Sequence, residues 1–182
     1  MIWTEHLEVR PFSSEDIGII YDLYSSEVIM RFMPYDYFDM DAASAHLEKI
    51  IADWKMTPVL NQEFLITLRD SGEKIGRLGI HIDTDIDSAM IGWLLLEKEW
   101  NKGYATEITK ASLDYCFRTL KVHRCFGWCN PANSASRRVF EKCGFRKEAH
   151  FLKRRMYIKH SVVSWEDELE YAILKSEYDN LA

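Results

Sequence analysis

The run Met90–Leu96 (MIGWLLL) carries no polar side chain, and within a few positions the pattern turns helical. Ala105, Ile108, Ser112, Tyr115 and Cys116 fall on one face, which predicts a helix from Gly103 to about Leu120. A buried strand that turns at a glycine straight into a helix commits the chain to layers of sheet and helix. The connection is Trp100-Asn101-Lys102-Gly103-Tyr104-Ala105. The first turn of a helix has unpaired N–H groups at the positive end of its dipole, a combination that suits a phosphate or pyrophosphate. Gly103 has no side chain to keep such a ligand away, and Lys102 offers a charge to a phosphate oxygen. Taken alone, the same six residues also make a plain strand-to-helix turn. No GxxxxGK[ST] and no GxGxxG is present, which argues against a P-loop nucleoside triphosphatase and a Rossmann domain.

The rest of the chain supplies more strands and helices. LEVRPF (residues 7–12) alternates as a short strand, and Ser13 with Asp16 three residues on offers a capping box for a helix to about Tyr24. RFMPYDYFDMD reads as an aromatic-rich loop, after which Asp41 caps a second helix to about Trp54. EFLITLRD and EKIGRLGIHID are strands joined by the hairpin signal Asp70-Ser71-Gly72. A polar turn then leads into the strand DSAMIGWLLL. RCFGWCN is a strand, NSASRRVFEKCGF a short helix stopped at Gly144, and FRKEAHFL and WEDELEYAILKS two final strands. The order β-α-α-β-β-β-α-β-α-β-β describes one mixed α/β domain over residues 1–182 around a largely antiparallel sheet.

Composition narrows the partners. Lys and Arg total 23 against 29 Asp and Glu, a net charge of −6, which argues against nucleic acid and is compatible with a cationic acceptor such as an amine. No basic opening stretch leads an apolar run and no window of eighteen apolar residues occurs, so we expect neither a signal peptide nor a membrane span, and a cytoplasmic protein. The cysteines Cys116, Cys125, Cys129 and Cys143 form no CxxC pair, which points to buried reduced thiols rather than a metal site.

A second stretch, NPANSASRRVFEKCGFRKEAHF, follows the next strand. With LEVRPFSSED, EKIGRLGI, IGWLLLEKEWNKGYATE and WEDELEYAILKSEY it stands in an order that resembles the GNAT superfamily of acetyl-CoA-dependent N-acetyltransferases over nearly the whole chain. The RimJ/RimL-type branch, which acetylates N-terminal amines of ribosomal proteins, is the most similar; the polyamine acetyltransferases are similar too. The resemblance implies an α/β (α+β) fold: a mostly antiparallel sheet of about seven strands, helices on both faces, and a V-shaped splay between the two central strands. It implies acetyl-CoA as cofactor, no metal, an amine-bearing acceptor, and by analogy a homodimer.

Carried over by position, Trp100, Asn101, Lys102, Gly103, Tyr104, Ala105 and Thr106 would hold the pyrophosphate, although Trp100 stands where the family pattern has Gln or Arg. Leu94, Leu95 and Leu96 would offer main-chain groups to the pantetheine arm, much as a strand accepts a peptide, and an N–H near Leu94 would stabilise an oxyanion. Asn133 matches a CoA-contacting asparagine. Phe140 occupies the place of a tyrosine that often protonates the departing thiolate, and Ser136, one turn earlier, would hydrogen-bond that thiolate instead.

Direct attack needs a neutral amine. Freeing a lysine-type amine (pKa about 10.4) at neutral pH costs on the order of 4 kcal/mol, an α-amine (pKa about 8) only about 1 kcal/mol. RimJ/RimL-like relatives often carry Glu just before Ile-Gly as a base acting through water; here that residue is Met90. The remaining candidates are His81, Asp83 and Glu148. His81 has the side chain best matched to neutral pH, and Glu148 is expected to pair with a nearby Arg or Lys. These residues favour an α-amine acceptor, with a polyamine, aminoglycoside or other small amine, or a non-catalytic CoA sensor, as the alternatives. Trp93, Phe126, Trp128, Phe32 and Tyr35 are candidates for an acceptor pocket.

Overall fold

The computed structural model describes residues 1–181. The strands are β1 (Ile2–Trp3), β2 (Leu7–Pro11), β3 (Asn61–Leu68), β4 (Lys74–Asp83), β5 (Ser88–Leu95), β6 (Arg124–Cys129), β7 (Arg146–Lys159) and β8 (Val162–Leu174). The helices are α1 (Ile17–Tyr24), α2 (Glu27–Met30), α3 (Met40–Asp53), α4 (Tyr104–Asp114), α5 (Ser134–Lys142) and α6 (Lys175–Asp179). All eight strands join one sheet in the order β1-β2-β3-β4-β5-β6-β8-β7. Only β5 and β6 pair in parallel. The eighth strand, beyond the expected seven, is two-residue β1, held by Ile2 opposite Val9 and Trp3 opposite Glu8.

Side-chain alternation sends each strand's apolar residues to two cores. On one face Leu78, Ile80, Ile91 and Phe64 pack with Ile108 and Leu113 of α4 and Phe140 of α5. On the other, Leu65 and Leu94 pack with Ile20 and Leu23 of α1, Met30 of α2, and Ala43, Leu47 and Ile50 of α3. Helices therefore cover both faces, as the resemblance implied. Among the described residues, no helix is long and apolar enough to cross a membrane.

Three local details differ from the sequence reading. The cap of α3 is Asp39, whose carboxylate accepts the Ala42 N–H at 2.8 Å, and Asp41 lies inside the first turn. The predicted helix from Gly103 is α-helical to Asp114 and then widens into a π-helical segment, Tyr115–Leu120. β7 runs past the expected Leu152 to Lys159. Its basic stretch is tolerated because Arg155 faces Glu166 and donates to Glu168 at 2.7 Å, and a two-residue turn at His160 and Ser161, both with positive φ, leads into β8.

Asp16 anchors the start of α1. Fully buried, it accepts from Arg10 at 2.8 and 2.9 Å, from the Ser13 N–H at 2.8 Å and from the Ser13 hydroxyl at 2.9 Å, with Lys74 Nζ at 2.7 Å. Burial alone would raise its pKa; the hydrogen bonds from Arg10 and Lys74 outweigh that and hold it well below the ordinary carboxylate range. Asp16→Asn should cost about 2 kcal/mol, because two part-exposed cations lose a buried partner but regain water. For a chain of this size that lowers Tm by about 6 °C. A depressed native pKa contributes stability above the unfolded value, so the gap between wild type and variant should close as pH falls below about 4 in thermal melts.

Candidate active site

The pairing of β5 with β6 lasts three residues: Ser88 faces Arg124, Ala89 faces Cys125, and Met90 faces Phe126. Beyond that point β5 stays with β4 as far as Leu95 opposite Gly76, while β6 stays with β8 as far as Cys129 opposite Leu169. The strands part, and a cleft of about 560 Å³ occupies the opening. Val28, Ile29 and Phe32 line it from one side of the sheet, and Tyr104, Ser136 and Val139 from the other.

At one end of the cleft stands the strand-to-helix turn. Gly103 has φ +92°, a conformation that a side chain would strain, and no atom lies within 4 Å of where its Cβ would stand. The first helical bonds run from the Thr106 and Glu107 N–H groups to Gly103 O, both at 3.0 Å. The amides of Gly103, Tyr104 and Ala105 precede them at the positive end of the helix dipole, and all three residues line the cleft. This open, amide-lined cradle suits a pyrophosphate. Trp100, in the place of Gln or Arg, braces the turn by donating its indole N–H to Leu95 O at 2.9 Å.

Ten of the twelve residues expected to bind the cofactor line this cleft: Leu94, Leu95, Trp100, Asn101, Gly103, Tyr104, Ala105, Thr106, Asn133 and Ser136. Lys102 and Leu96 do not. Lys102 donates to Glu99 at 3.1 Å; Glu99 is 3% exposed, and a buried carboxylate beside an anion site needs that neighbouring cation. Two cations the sequence reading left out, Arg138 and Lys142, face the turn from α5. Helix spacing of four residues places them together, but the strand-to-helix distance was not legible from sequence.

The backbone corrects the roles of Leu94 and Leu96. The Leu96 N–H donates to Ile75 O at 2.9 Å, and Leu94 O lies against Gly76, so both residues turn their peptide groups to β4. In an antiparallel ladder neighbouring residues point to opposite edges. Leu95 O accordingly reaches Trp100, Ile91 O lies against Gly127 of β6, and the N–H groups that face the opening are those of Trp93 and Leu95.

Asn133 caps α5, its side-chain oxygen accepting the Ser136 N–H at 3.1 Å. Ser136 lies on the cleft wall one turn before Phe140, whose buried ring meets Trp93 edge-on at 5.1 Å and stacks on Tyr171 at 5.2 Å. Trp93 and Phe32 line the cleft. Phe126, Trp128 and Tyr35 do not: Arg124 lies over Phe126 and Arg155 over Trp128, each at 4.8 Å, and Tyr35 stacks near Tyr24 at 6.2 Å.

His81 stands outside the cleft lining, in register between Asn61 and Met90 on the face that carries α1 and α3. Its Nδ1 is 3.0 Å from Asn61 Oδ1 and its Nε2 3.4 Å from Glu63 Oε1. Asp83 accepts the Asp85 N–H at 3.0 Å within the turn, and Glu148 pairs with Arg124 at 2.6 Å and with Arg146. All four cysteines are buried and free; burial pushes the Cys129 thiol up to about 12 and the Cys143 thiol up to about 11, so neither is a ready nucleophile.

The acetyltransferase (GNAT) domain family matches residues 6–146. The uncharacterized N-acetyltransferase YnaD of Bacillus subtilis is 32% identical over 178 residues, covering 98% of this chain and 99% of its own. A GNAT-family acetyltransferase structure from Bacillus anthracis superposes with a TM-score of 0.83 at 30% identity, covering 96% of this chain and 98% of that one. A spermidine N-acetyltransferase from Vibrio cholerae, solved with CoA and spermine, gives 0.81 at 23% identity over 96% and 98% of the two chains, a likeness of fold.

Proposed function

The chain belongs to the GNAT acetyltransferase family, and from that premise we propose that residues 1–182 form one such domain whose preferred acceptor is an α-amine, as in the RimJ/RimL-type branch. The activity itself is acetyl transfer to an amine, with acetyl-CoA as the donor. Acetyl-CoA supplies an activated acetyl thioester. The amides of Gly103, Tyr104 and Ala105 hold the diphosphate, and Arg138 and Lys142 add charge from α5. The Trp93 and Leu95 N–H groups, preorganised at the parted strand edge, hold the acetyl oxygen. As the acceptor nitrogen bonds to the acetyl carbon and the carbon–sulfur bond breaks, the nitrogen's proton would pass through water to His81, and the departing thiolate would be held by a hydrogen bond from the Ser136 hydroxyl and take its proton from solvent.

The observation that carries the acceptor preference is the state of the carboxylates beyond the opening. Glu168 is 3% exposed and held by Arg155 at 2.6 Å; Glu170 is held by Arg124 at 2.8 Å, and Glu148 by the same arginine. A polycation finds its natural partners there already neutralised. A polyamine is the second reading, favoured by the fold likeness to the spermidine enzyme and the net charge of −6. Thiol release from acetyl-CoA with spermidine, spermine and peptides with free N-termini separates the two. A kcat/KM for spermidine above that of every peptide overturns the α-amine reading.

Ser136→Ala should lower kcat about tenfold with little change in KM for acetyl-CoA, the pattern of an interaction made only in the transition state. An unaltered kcat would return Ser136 to a packing role.

A further inference from the structure

β8 keeps β6 as a neighbour only from Leu169 to Leu174, whereas its pairing with β7 continues out to Val162 opposite Lys159. The far half of this hairpin therefore runs past the end of β6 with no third strand beside it. Its tip is tied to the segment after α2 instead. Residues 31–39 form no helix or strand, so their carbonyls need partners from elsewhere. β7 supplies them. The Tyr157 hydroxyl donates to Phe32 O at 2.8 Å, the Ile158 N–H to Pro34 O at 3.3 Å, and Lys159 Nζ to Met30 O at 2.9 Å and Tyr35 O at 2.6 Å. Three consecutive residues of one strand thus take four of the six carbonyls from Met30 to Tyr35. Tyr157 is 5% exposed, and Lys159 Nζ also lies 4.5 Å from the centre of the Tyr37 ring.

The segment held in this way is a wall of the cleft. Val28, Ile29, Arg31 and Phe32 line it, with the Arg31 guanidinium 4.5 Å over the Phe32 ring. The amide cradle, Arg138 and Lys142 belong to α4 and α5, on the other side of the sheet. A thioester that reaches the parted strands from there leaves the α2 side of the opening to the amine that attacks it. Neither Tyr157 nor Lys159 lines the cleft. We propose, on the acetyl-transfer reading above, that Tyr157 and Lys159 are positioning residues, fixing the Arg31–Phe32 wall against which the acceptor amine is seated. They act through the main chain of the wall and touch neither substrate. A seat held by these hydrogen bonds is ordered before the acceptor arrives, so binding does not bear the entropy of ordering it.

The test is steady-state kinetics on Tyr157→Phe with Lys159→Met, which removes three of the four hydrogen bonds and keeps the bulk of both side chains. KM for an N-terminal peptide should rise about tenfold, with kcat and KM for acetyl-CoA within twofold of wild type. Lys159→Arg, which keeps the charge and its donors, should lie closer to wild type than Lys159→Met. Tyr157→Phe alone, the loss of one oxygen, serves where the pair loosens the fold, and should raise the same KM about threefold. Wild-type peptide KM in the folded double variant, or equal rises in both KM values, overturns the role of the two residues. Spermidine runs the same comparison where no peptide is turned over; that outcome overturns the α-amine preference and leaves the positioning role to be decided by the spermidine KM.

Discussion

Acetyl-CoA should bind Gly103→Asp at least 100-fold more weakly than wild type in calorimetry. Two effects add. At φ +92° a side chain costs about 1 kcal/mol of backbone strain. The larger effect is charge: a carboxylate about 4 Å from a diphosphate oxygen opposes it by about 4 kcal/mol at an effective dielectric near 20. Nothing lies within 4 Å of the new Cβ, so the protein has room for the side chain and should stay folded. Gly103→Ala separates the terms, carrying the strain without the charge, and should lose about fivefold. Unchanged affinity in the aspartate variant would remove this turn from the binding site.

The feature that made Gly103 legible from sequence was local. An apolar run, a glycine and a 3.6-residue period follow one another without a break from Met90 to Cys116, and each limits what its neighbours can do. Asn133 was singled out through the resemblance alone, and the structure adds that it caps α5. What sequence did not disclose depends on register. Which edge of β5 faces the opening is decided by one residue of phase, and that phase is set by pairing Leu95 with Gly76, nineteen positions away. Leu94 and Leu96 were assigned to the wrong edge for that reason, and Trp93 was considered only as an aromatic.

Electrostatics failed to read out in the same way. Lys102 looked like a phosphate ligand because nothing in the sequence says that Glu99 is buried and takes its ammonium. The Glu63–Arg77 pair was invisible because nothing in either segment says that the two strands align Glu63 with Gly79. Asp39 against Asp41 is the mildest case: both are good caps, and the choice between them is made by where the preceding aromatic loop ends.

His81→Ala should lower kcat/KM for an N-terminal peptide about 100-fold while acetyl-CoA affinity holds, since the imidazole lies outside the cofactor cleft. Added imidazole should restore part of the rate, which a loss of packing would not allow. The size of the defect should depend on the acceptor. An amine of pKa about 8 is already partly neutral at pH 7.5 and needs the base less, whereas one near 10.4 must shed its proton on the enzyme at about 4 kcal/mol. Removing the base therefore harms the high-pKa acceptor more, and the ratio of peptide to spermidine kcat/KM should rise in the variant. Raising the pH toward 9 should narrow the gap between wild type and variant, because solvent then does what His81 did. A variant with wild-type kcat/KM at pH 7 on both acceptors would leave the proton to water alone.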